Sequence, residues 1–154
     1  MALFLEPDLL DFLKSFNACS VRYLVVGGVS VILNGYVRTT VDLDIWVDRT
    51  KENYKNICKA FSVFGMPLFD MTPENFFNNP DIDTFTFGRP PECIDLMLAV
   101  KGLQFDKCYA NSKNVELDGT SARVLSKDDL IVAKLAAGRY KDLDDVEHLK
   151  GMDS

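Results

Sequence analysis

Residues 25–47, with the sequence VVGGVSVILNGYVRTTVDLDIWV, hold the pattern from which the fold is predicted. An apolar run ends in Gly27-Gly28 and is followed by a short amphipathic segment from Val29 to Asn34, which predicts a strand, a tight turn and a helix. Such a turn leaves backbone N–H groups free at the helix start, where they can bind phosphate. We therefore interpret Gly27-Gly28 as a phosphate-binding turn.

The second apolar run of this stretch carries two acidic residues. Side chains alternate along a strand, so Asp42 and Asp44 share one face while Leu43, Ile45 and Val47 share the other. Two carboxylates held this close raise each other's pKa unless a cation neutralises them. Mg²⁺ takes oxygen ligands from one or two carboxylates, water and substrate phosphate. The pattern predicts a magnesium site, with a solvated strand end as the alternative.

A third acidic residue, Asp95, lies inside the apolar run from Cys93 to Leu98. A lone carboxylate in a core-like strand is costly without a partner. If this strand lies beside the Asp-x-Asp strand, three carboxylates come together, and such a set can hold two divalent ions. The alternative is an ion pair with Arg38 or Arg89.

Composition limits the class of protein. The chain has 154 residues, 47% of them hydrophobic and 26% charged, which is typical of a soluble globular protein. No apolar run approaches the roughly 18 residues of a membrane span, and the N-terminus lacks a signal peptide, so we expect a cytoplasmic protein without membrane contact. A net charge of −6 disfavours non-specific nucleic-acid binding, apart from a local basic patch at Arg139 and Lys141. Four dispersed cysteines and the single His148 disfavour a zinc site.

Periodicity and capping residues predict the remaining elements. A loop with one helical turn is expected between Met66 and Pro80. Helices are expected from Pro7 to Phe16, after Thr50 up to Gly65, from Ser126 to Ala137, and from Lys141 to Leu149; strands are expected at Tyr23 to Val26, Leu43 to Val47, Thr84 to Phe87, Cys93 to Leu98, Val115 to Leu117 and Ala122 to Leu125. This order predicts a single α/β (α+β) domain over residues 1–154, with a short mixed sheet, a catalytic core at about 20–100 and a C-terminal helical segment at about 126–151.

Lys134 is the only polar residue between Ile131 and Ala137. In a segment that is apolar almost all round, its ammonium must reach solvent or meet an anion, for which a triphosphate or Asp142 would serve. Asp142 and Asp145 lie three residues apart on one helical face, where Lys141 and Asp145 could instead form a solvated pair.

These motifs together resemble the nucleotidyltransferase fold of the polymerase β superfamily. The resemblance rests on Gly27-Gly28, Arg38-x-Thr40-x-Asp42-Leu43-Asp44 and Ile94-Asp95-Leu96 and covers about residues 20 to 150. Lys134 followed by Arg139-x-Lys141-Asp142-x-x-Asp145 is similar to the bacterial branch that includes the AbiEii-type abortive-infection toxins. Asn34 departs from the family, in which a histidine is common at this position.

The resemblance implies Mg²⁺-dependent transfer of a nucleoside monophosphate from a nucleoside triphosphate (NTP) to an acceptor, with two metal ions. Asp42, Asp44 and Asp95 would bind metal and act in catalysis with Lys134. Nucleotide contacts would come from Gly27, Gly28, Arg38, Thr40, Lys134, Arg139 and Asp142. The acceptor would be RNA, a protein or a small molecule, with an antitoxin-type partner if the chain belongs to a toxin–antitoxin system.

Two other functions stay open at this stage. The chain could be a catalytically inactive nucleotide-binding or partner-binding protein that keeps the fold. An acidic scaffold that binds structural Ca²⁺ is the weaker alternative, because the glycine turn would then have no task.

Overall fold

The computed structural model describes residues 7–27, 30, 42–89, 92–117 and 119–151, with only the backbone of Pro7, Arg89 and Glu92. The predicted helix from Val29 to Asn34 lies outside the described residues. The described elements are α1 (Pro7–Ala18), β1 (Tyr23–Val26), β2 (Leu43–Val47), α2 (Lys51–Phe64), α3 (Pro73–Phe77), β3 (Thr84–Arg89), β4 (Glu92–Met97), α4 (Phe105–Ala110), β5 (Lys113–Leu117), β6 (Thr120–Val124), α5 (Lys127–Ala137) and α6 (Tyr140–Lys150).

The six strands form one mixed sheet in the order β3-β4-β2-β1-β6-β5. β1 is antiparallel to β2 and parallel to β6. β2 is parallel to β4, and the two outer pairs, β3 with β4 and β5 with β6, are antiparallel. The predicted α/β architecture, with a short mixed sheet and a helical C-terminus, is confirmed.

Each face of the sheet packs against a different group of helices. The amphipathic helices α1 and α2 contribute phenylalanines to the first face, where the rings of Phe12 and Phe61 have centroids 5.6 Å apart and those of Phe61 and Phe87 4.9 Å apart. The second face buries Trp46 in a smaller cluster with residues of α4, α5 and α6. Burial on both faces holds the central strands in place.

The alternation predicted for β2 is confirmed. Leu43, Ile45 and Val47 belong to the first core, while Trp46 packs in the second. Asp44 therefore points to the second face, the one that α5 and α6 cover only in part.

Local signals account for the ends of several helices. The Thr50 hydroxyl accepts a hydrogen bond from the Asn53 N–H at 3.2 Å, and α2 ends at Gly65 with φ 88°. Ser126 caps α5 in the same way. The loop predicted between Met66 and Pro80 contains one short helix, α3, as expected.

One helix was not predicted. The six-residue helix α4 has no side-chain capping bond at Gln104 and carried no sequence signal. All four cysteines are free thiols; Cys108 is buried, and Cys19, Cys58 and Cys93 are partly exposed. Within the described ranges, no helix is long and apolar enough to cross a bilayer.

A buried asparagine joins the ends of β1 and β2. The Asn53 side-chain oxygen accepts a hydrogen bond from the Arg22 N–H at 2.7 Å, and its amide nitrogen donates to the carbonyls of Arg22 (3.1 Å) and Asp48 (2.7 Å). The Asn53 side chain is 2% exposed. It thus pairs the Arg22 N–H and the Asp48 carbonyl, and it shares the Arg22 carbonyl with the Asp48 N–H, which donates to it at 3.2 Å.

We expect Asn53→Ala to lower the free energy of unfolding by about 2–4 kcal/mol, because several buried polar groups lose their partner. Asn56→Ala is the matched control, since this α2 residue makes only one long, exposed bond of 3.5 Å to Ser20. Its loss should stay within about 0.5 kcal/mol. Urea denaturation of both variants checks this, and equal losses would contradict the role assigned to Asn53.

Candidate functional site

Four adjacent strands meet at the predicted acidic site. In the sheet register, Asp44 lies opposite Val26 of β1 on one side and opposite Asp95 of β4 on the other. Asp95 in turn lies opposite Thr86 of β3, whose hydroxyl donates a hydrogen bond of 2.6 Å to the Asp95 Oδ1. The expected placement of Asp95 beside the Asp-x-Asp strand is therefore what the sheet shows.

Gly27 directly follows β1 and closes over this pair. Its φ is 68°, a left-handed conformation that favours glycine. A Cβ at this position would overlap the carboxylate of Asp44 and lie 2.8 Å from its Cγ. The Ser30 hydroxyl donates to the Gly27 carbonyl at 2.7 Å, as in a turn. The glycine is thus required for the close approach of Asp44.

Asp44 is electrostatically unusual. Burial, the charge and hydrogen bond of Asp95, and the charge of Asp42 raise the pKa of Asp44 to about 7, while the charge of Lys134 acts in the opposite direction. Among the described residues, no lysine or arginine lies within ion-pair distance of Asp44 or Asp95. The two carboxylates therefore form a like-charged pair that a cation would stabilise.

The donor set fits a hard divalent cation that shares its shell with water. Among the residues that the structure describes, no three acidic, histidine or cysteine side chains already surround a common point. Mg²⁺ commonly takes only one or two carboxylates from a protein and completes its shell with water and phosphate oxygens. Asp44 and Asp95 supply such a pair, and the exposed Asp42 lies on the same cavity.

A cavity of about 400 Å³ opens beside these carboxylates. Its floor and walls are apolar at residues of β1, β4 and α5, among them Val26, Met97 and Leu130. Acidic residues of the lining are Asp42, Asp44, Asp83, Asp95 and Asp142, and basic ones are Lys101, Lys134, Arg139 and Lys141. The strands, with the residues directly before β2 and β3, thus supply four of these five carboxylates, while α5, α6 and Arg139 between them supply three of the four cations.

Lys134 is buried between two carboxylates of α6. Its Nζ lies 3.3 Å from the Asp142 Oδ1 and 3.3 Å from the Asp145 Oδ2, and the side chain is 9% exposed. The contact with Asp142 is one of those considered for Lys134 from the sequence. The contact with Asp145 was not expected, because the sequence suggested a solvated pair of Asp145 with Lys141. Lys141 is exposed and lines the cavity.

Asp142 also holds Arg139. Its Oδ2 accepts a hydrogen bond of 2.6 Å from the Arg139 Nε, and its Oδ1 accepts one of 3.2 Å from Nη2. Burial raises the pKa of Asp142, but these bonds and the charge of Lys134 outweigh it and hold the pKa below its usual value. Because Asp142 is fully buried with both oxygens engaged, its direct contact with a nucleotide stays a prediction.

The structure brings Gly27, Asp42, Asp44, Asp95, Lys134, Arg139 and Asp142 to one cavity. The predicted Gly28, Arg38 and Thr40, and also Asn34, lie outside the described residues, as do the side chains of both proposed ion-pair partners of Asp95. Sequence reasoning had not placed Lys101 or Asp83 in the site. Only the Lys101-Gly102 pair, a turn signal after β4, hinted at the former.

We expect Gly27→Ala to lower the free energy of unfolding by about 2–5 kcal/mol, the sum of left-handed strain and the clash with Asp44. Gly65→Ala is the control, because Gly65 has φ 88° but nothing within 4 Å of an added Cβ. That variant should lose only about 1–2 kcal/mol. Equal losses in urea denaturation would show that the approach of Asp44 does not require the glycine.

Asp145→Asn should destabilise the protein by about 2–3 kcal/mol, because buried Lys134 loses one of two counter-charges. The neighbouring Asp144→Asn is the control: this side chain is 60% exposed and faces His148 at 3.6 Å. Its effect should stay within about 0.5 kcal/mol. Thermal melts at pH 7 test both, and a small effect of Asp145→Asn would mean that Lys134 finds water instead.

Solved structures share this fold at low sequence identity. A lincosamide antibiotic adenylyltransferase, LnuA, solved with lincomycin bound, has a TM-score of 0.56 and 16% identity, with 97% of this chain and 99% of that chain covered. An antigenic nucleotidyltransferase-like protein from Paracoccidioides brasiliensis has a TM-score of 0.57 and 15% identity, with coverage of 94% and 77%. A protein described as a candidate nucleotidyltransferase (TM1012) from Thermotoga maritima has 0.53 and 17%, with 94% of each chain covered.

No curated protein matches the chain significantly by sequence. One family model does match, over residues 8–152, which is nearly the whole chain. It describes nucleotidyltransferases of unknown function (DUF6036). The predicted nucleotidyltransferase fold is confirmed, and the chain belongs to this family of nucleotidyltransferases.

Proposed function

We propose that the protein transfers a nucleoside monophosphate from an NTP to an acceptor hydroxyl or amine, with Mg²⁺ as cofactor. The observation that carries this proposal is the placement of Asp44 and Asp95 side by side on a cavity that Gly27, Lys134 and Arg139 also line. Carboxylates on adjacent strands next to a glycine turn and buried cations are the parts that phosphoryl transfer needs.

In the proposed reaction, the acceptor oxygen or nitrogen attacks the α-phosphorus of the NTP. The bond between that phosphorus and the oxygen bridging to the β-phosphorus breaks, and pyrophosphate leaves with the bonding electrons. The acceptor's proton would pass to a carboxylate of the site, and we assign this role to Asp95, which lies beside Asp44 in the sheet register. When bound, two Mg²⁺ ions would neutralise the strand carboxylates and the developing phosphate charge.

The remaining residues would bind and orient the nucleotide. The backbone around Gly27-Gly28 would receive phosphate oxygens, and Arg38 and Thr40 are proposed to contribute from the segment before β2. Lys134 would direct its remaining N–H toward the cavity, since its two other donors are used by Asp142 and Asp145. Arg139, with its side chain 70% exposed, can reach a nucleotide while Asp142 holds its Nε.

A small hydroxylated molecule is the acceptor class to test first. The LnuA structure, which this chain matches almost end to end, contains lincomycin. The net charge of −6 also disfavours a long RNA acceptor. RNA and protein acceptors, the latter including an antitoxin-type partner of a toxin–antitoxin pair, form the other arms of the experiment.

The test uses purified protein with Mg²⁺ and each of four α-³²P-labelled NTPs. Acceptor arms are lincomycin, transfer RNA, total RNA, soluble cell protein and the chain itself. We expect label in at least one arm, and a loss of about 10²–10⁴-fold in Asp44→Asn because transition-state charge is no longer stabilised. Asp70→Asn, an exposed acid outside the cavity, should keep full activity.

Stability separates loss of function from loss of fold. Asp44→Asn should melt at or above the temperature of the unaltered protein, because it removes repulsion from Asp95. Mg²⁺ with NTP should stabilise the unaltered protein and not this variant. Tight nucleotide binding without transfer in any arm would overturn the enzymatic proposal and support the inactive, nucleotide-binding alternative.

A further inference from the structure

The basic side chains of the cavity fall into two groups. Lys134 and Arg139 are paired with the buried carboxylates of Asp142 and Asp145, so the four formal charges cancel. Lys101 and Lys141 also line the cavity and are exposed. Within the described ranges, neither has an acidic side chain at ion-pair distance. Of the described basic residues that line the cavity, Lys101 and Lys141 are therefore the two that form no ion pair with another described side chain.

The backbone carrying Lys101 is held against α5. Lys101 precedes Gly102, which has φ 88° and approaches the helix so closely that an added Cβ would lie 3.2 Å from the Ala136 Cβ and 3.7 Å from the Val132 Cγ1. The Leu103 N–H donates to the Val100 carbonyl at 3.1 Å and closes the turn. This packing brings a residue from the end of β4 to the helix that carries Lys134.

We propose that Lys101 and Lys141 together bind the β- and γ-phosphates, the part of the NTP that leaves as pyrophosphate. The identification of the ligand as a nucleotide rests on the proposed function. The charge argument is independent of it: the paired cations have no net charge, and Asp42, Asp44, Asp83 and Asp95 repel a polyanion. Among the described residues of the lining, these two lysines are the basic side chains that no carboxylate already pairs, so they can bind phosphate oxygens.

The two lysines are supplied by separate parts of the fold. Lys101 lies in the turn after β4, and Lys141 lies in the first turn of α6. Binding between them would need both the α5–α6 pair and the docked turn in place. The flexible ammonium groups of both lysines can move with the phosphates as the NTP is converted to pyrophosphate. Lys134, in contrast, is held in place by its ion pairs with Asp142 and Asp145.

The experiment measures binding of inorganic tripolyphosphate and of an NTP by titration calorimetry, with and without Mg²⁺. We expect Lys101→Gln and Lys141→Gln each to raise the Kd for tripolyphosphate about ten-fold, since each removes one charge-assisted bond. The double variant should raise it further and flatten its salt dependence. Affinity for the nucleoside without phosphates should stay unchanged.

Two further variants test whether the position of the lysines in the cavity, rather than positive charge alone, determines tripolyphosphate binding. Lys107→Gln removes an exposed lysine of α4 that does not line the cavity, and tripolyphosphate binding should not change. Gly102→Ala keeps every charge but presses the turn away from Ala136, and we expect weaker tripolyphosphate binding in a protein that still melts cooperatively.

The outcomes distinguish this inference from the proposed function. Unaltered affinity for tripolyphosphate in Lys101→Gln, or no binding by the unaltered protein, would overturn the inference. If the lysine variants lose tripolyphosphate affinity while no acceptor arm is labelled, the polyphosphate site stands and nucleotidyl transfer falls. If transfer occurs with an unchanged KM for NTP in both lysine variants, transfer stands and the inference falls.

Discussion

The register of four strands is the constraint on which the site depends. Val26, Asp44, Asp95 and Thr86 lie at the same level on β1, β2, β4 and β3. A slip of β2 or β4 by one residue would turn its carboxylate toward the phenylalanine-rich core on the other face. The apolar residues that alternate with the carboxylates therefore specify where the acids point, and the two cores hold that choice in place.

Holding the two carboxylates side by side lowers the stability of the fold, and packing elsewhere in the protein offsets this loss. Asp44 and Asp95 are like charges in a partly buried position, and the pKa of Asp44 rises to about 7 as a result. Neither can turn away, because each is held between two hydrogen-bonded strands. The large aromatic core around Phe12 and Phe61 stabilises the sheet and so allows the strained pair to persist.

Helices α5 and α6 bury a cation, the ammonium group of Lys134, and surround it with carboxylates. α5 ends at Gly138, whose φ of 69° turns the chain so that α6 packs back against it. Asp142 and Asp145 then reach Lys134, and the carboxylate of Asp142 also accepts the Arg139 backbone N–H at 3.3 Å. A buried ion network of this kind contributes little net stability, but it fixes the position of Lys134.

Much of this could be predicted from sequence because the signals were local. The alternation in β2, the caps at Thr50 and Ser126 and the end of α5 at Ala137 each depend on a few neighbouring residues, and each was found. The short helix α4 was missed because it depends on packing of Phe105 against Trp46, with ring centroids 5.2 Å apart, rather than on a cap. Asp145 and Lys101 were misassigned or missed because tertiary contacts between distant segments decide their partners.

The sequence and the structure give different reasons for the presence of Gly27. In the sequence, the glycine indicates a turn with backbone N–H groups available for phosphate, an argument about a ligand. In the structure, the same residue is needed because a Cβ would occupy the space of the Asp44 carboxylate, an argument about packing. The two requirements are compatible, since a residue without a side chain lets the carboxylate lie against the backbone that we propose binds phosphate. A larger residue would have to displace Asp44 from the position that faces Asp95, so the glycine and the carboxylate pair constrain each other.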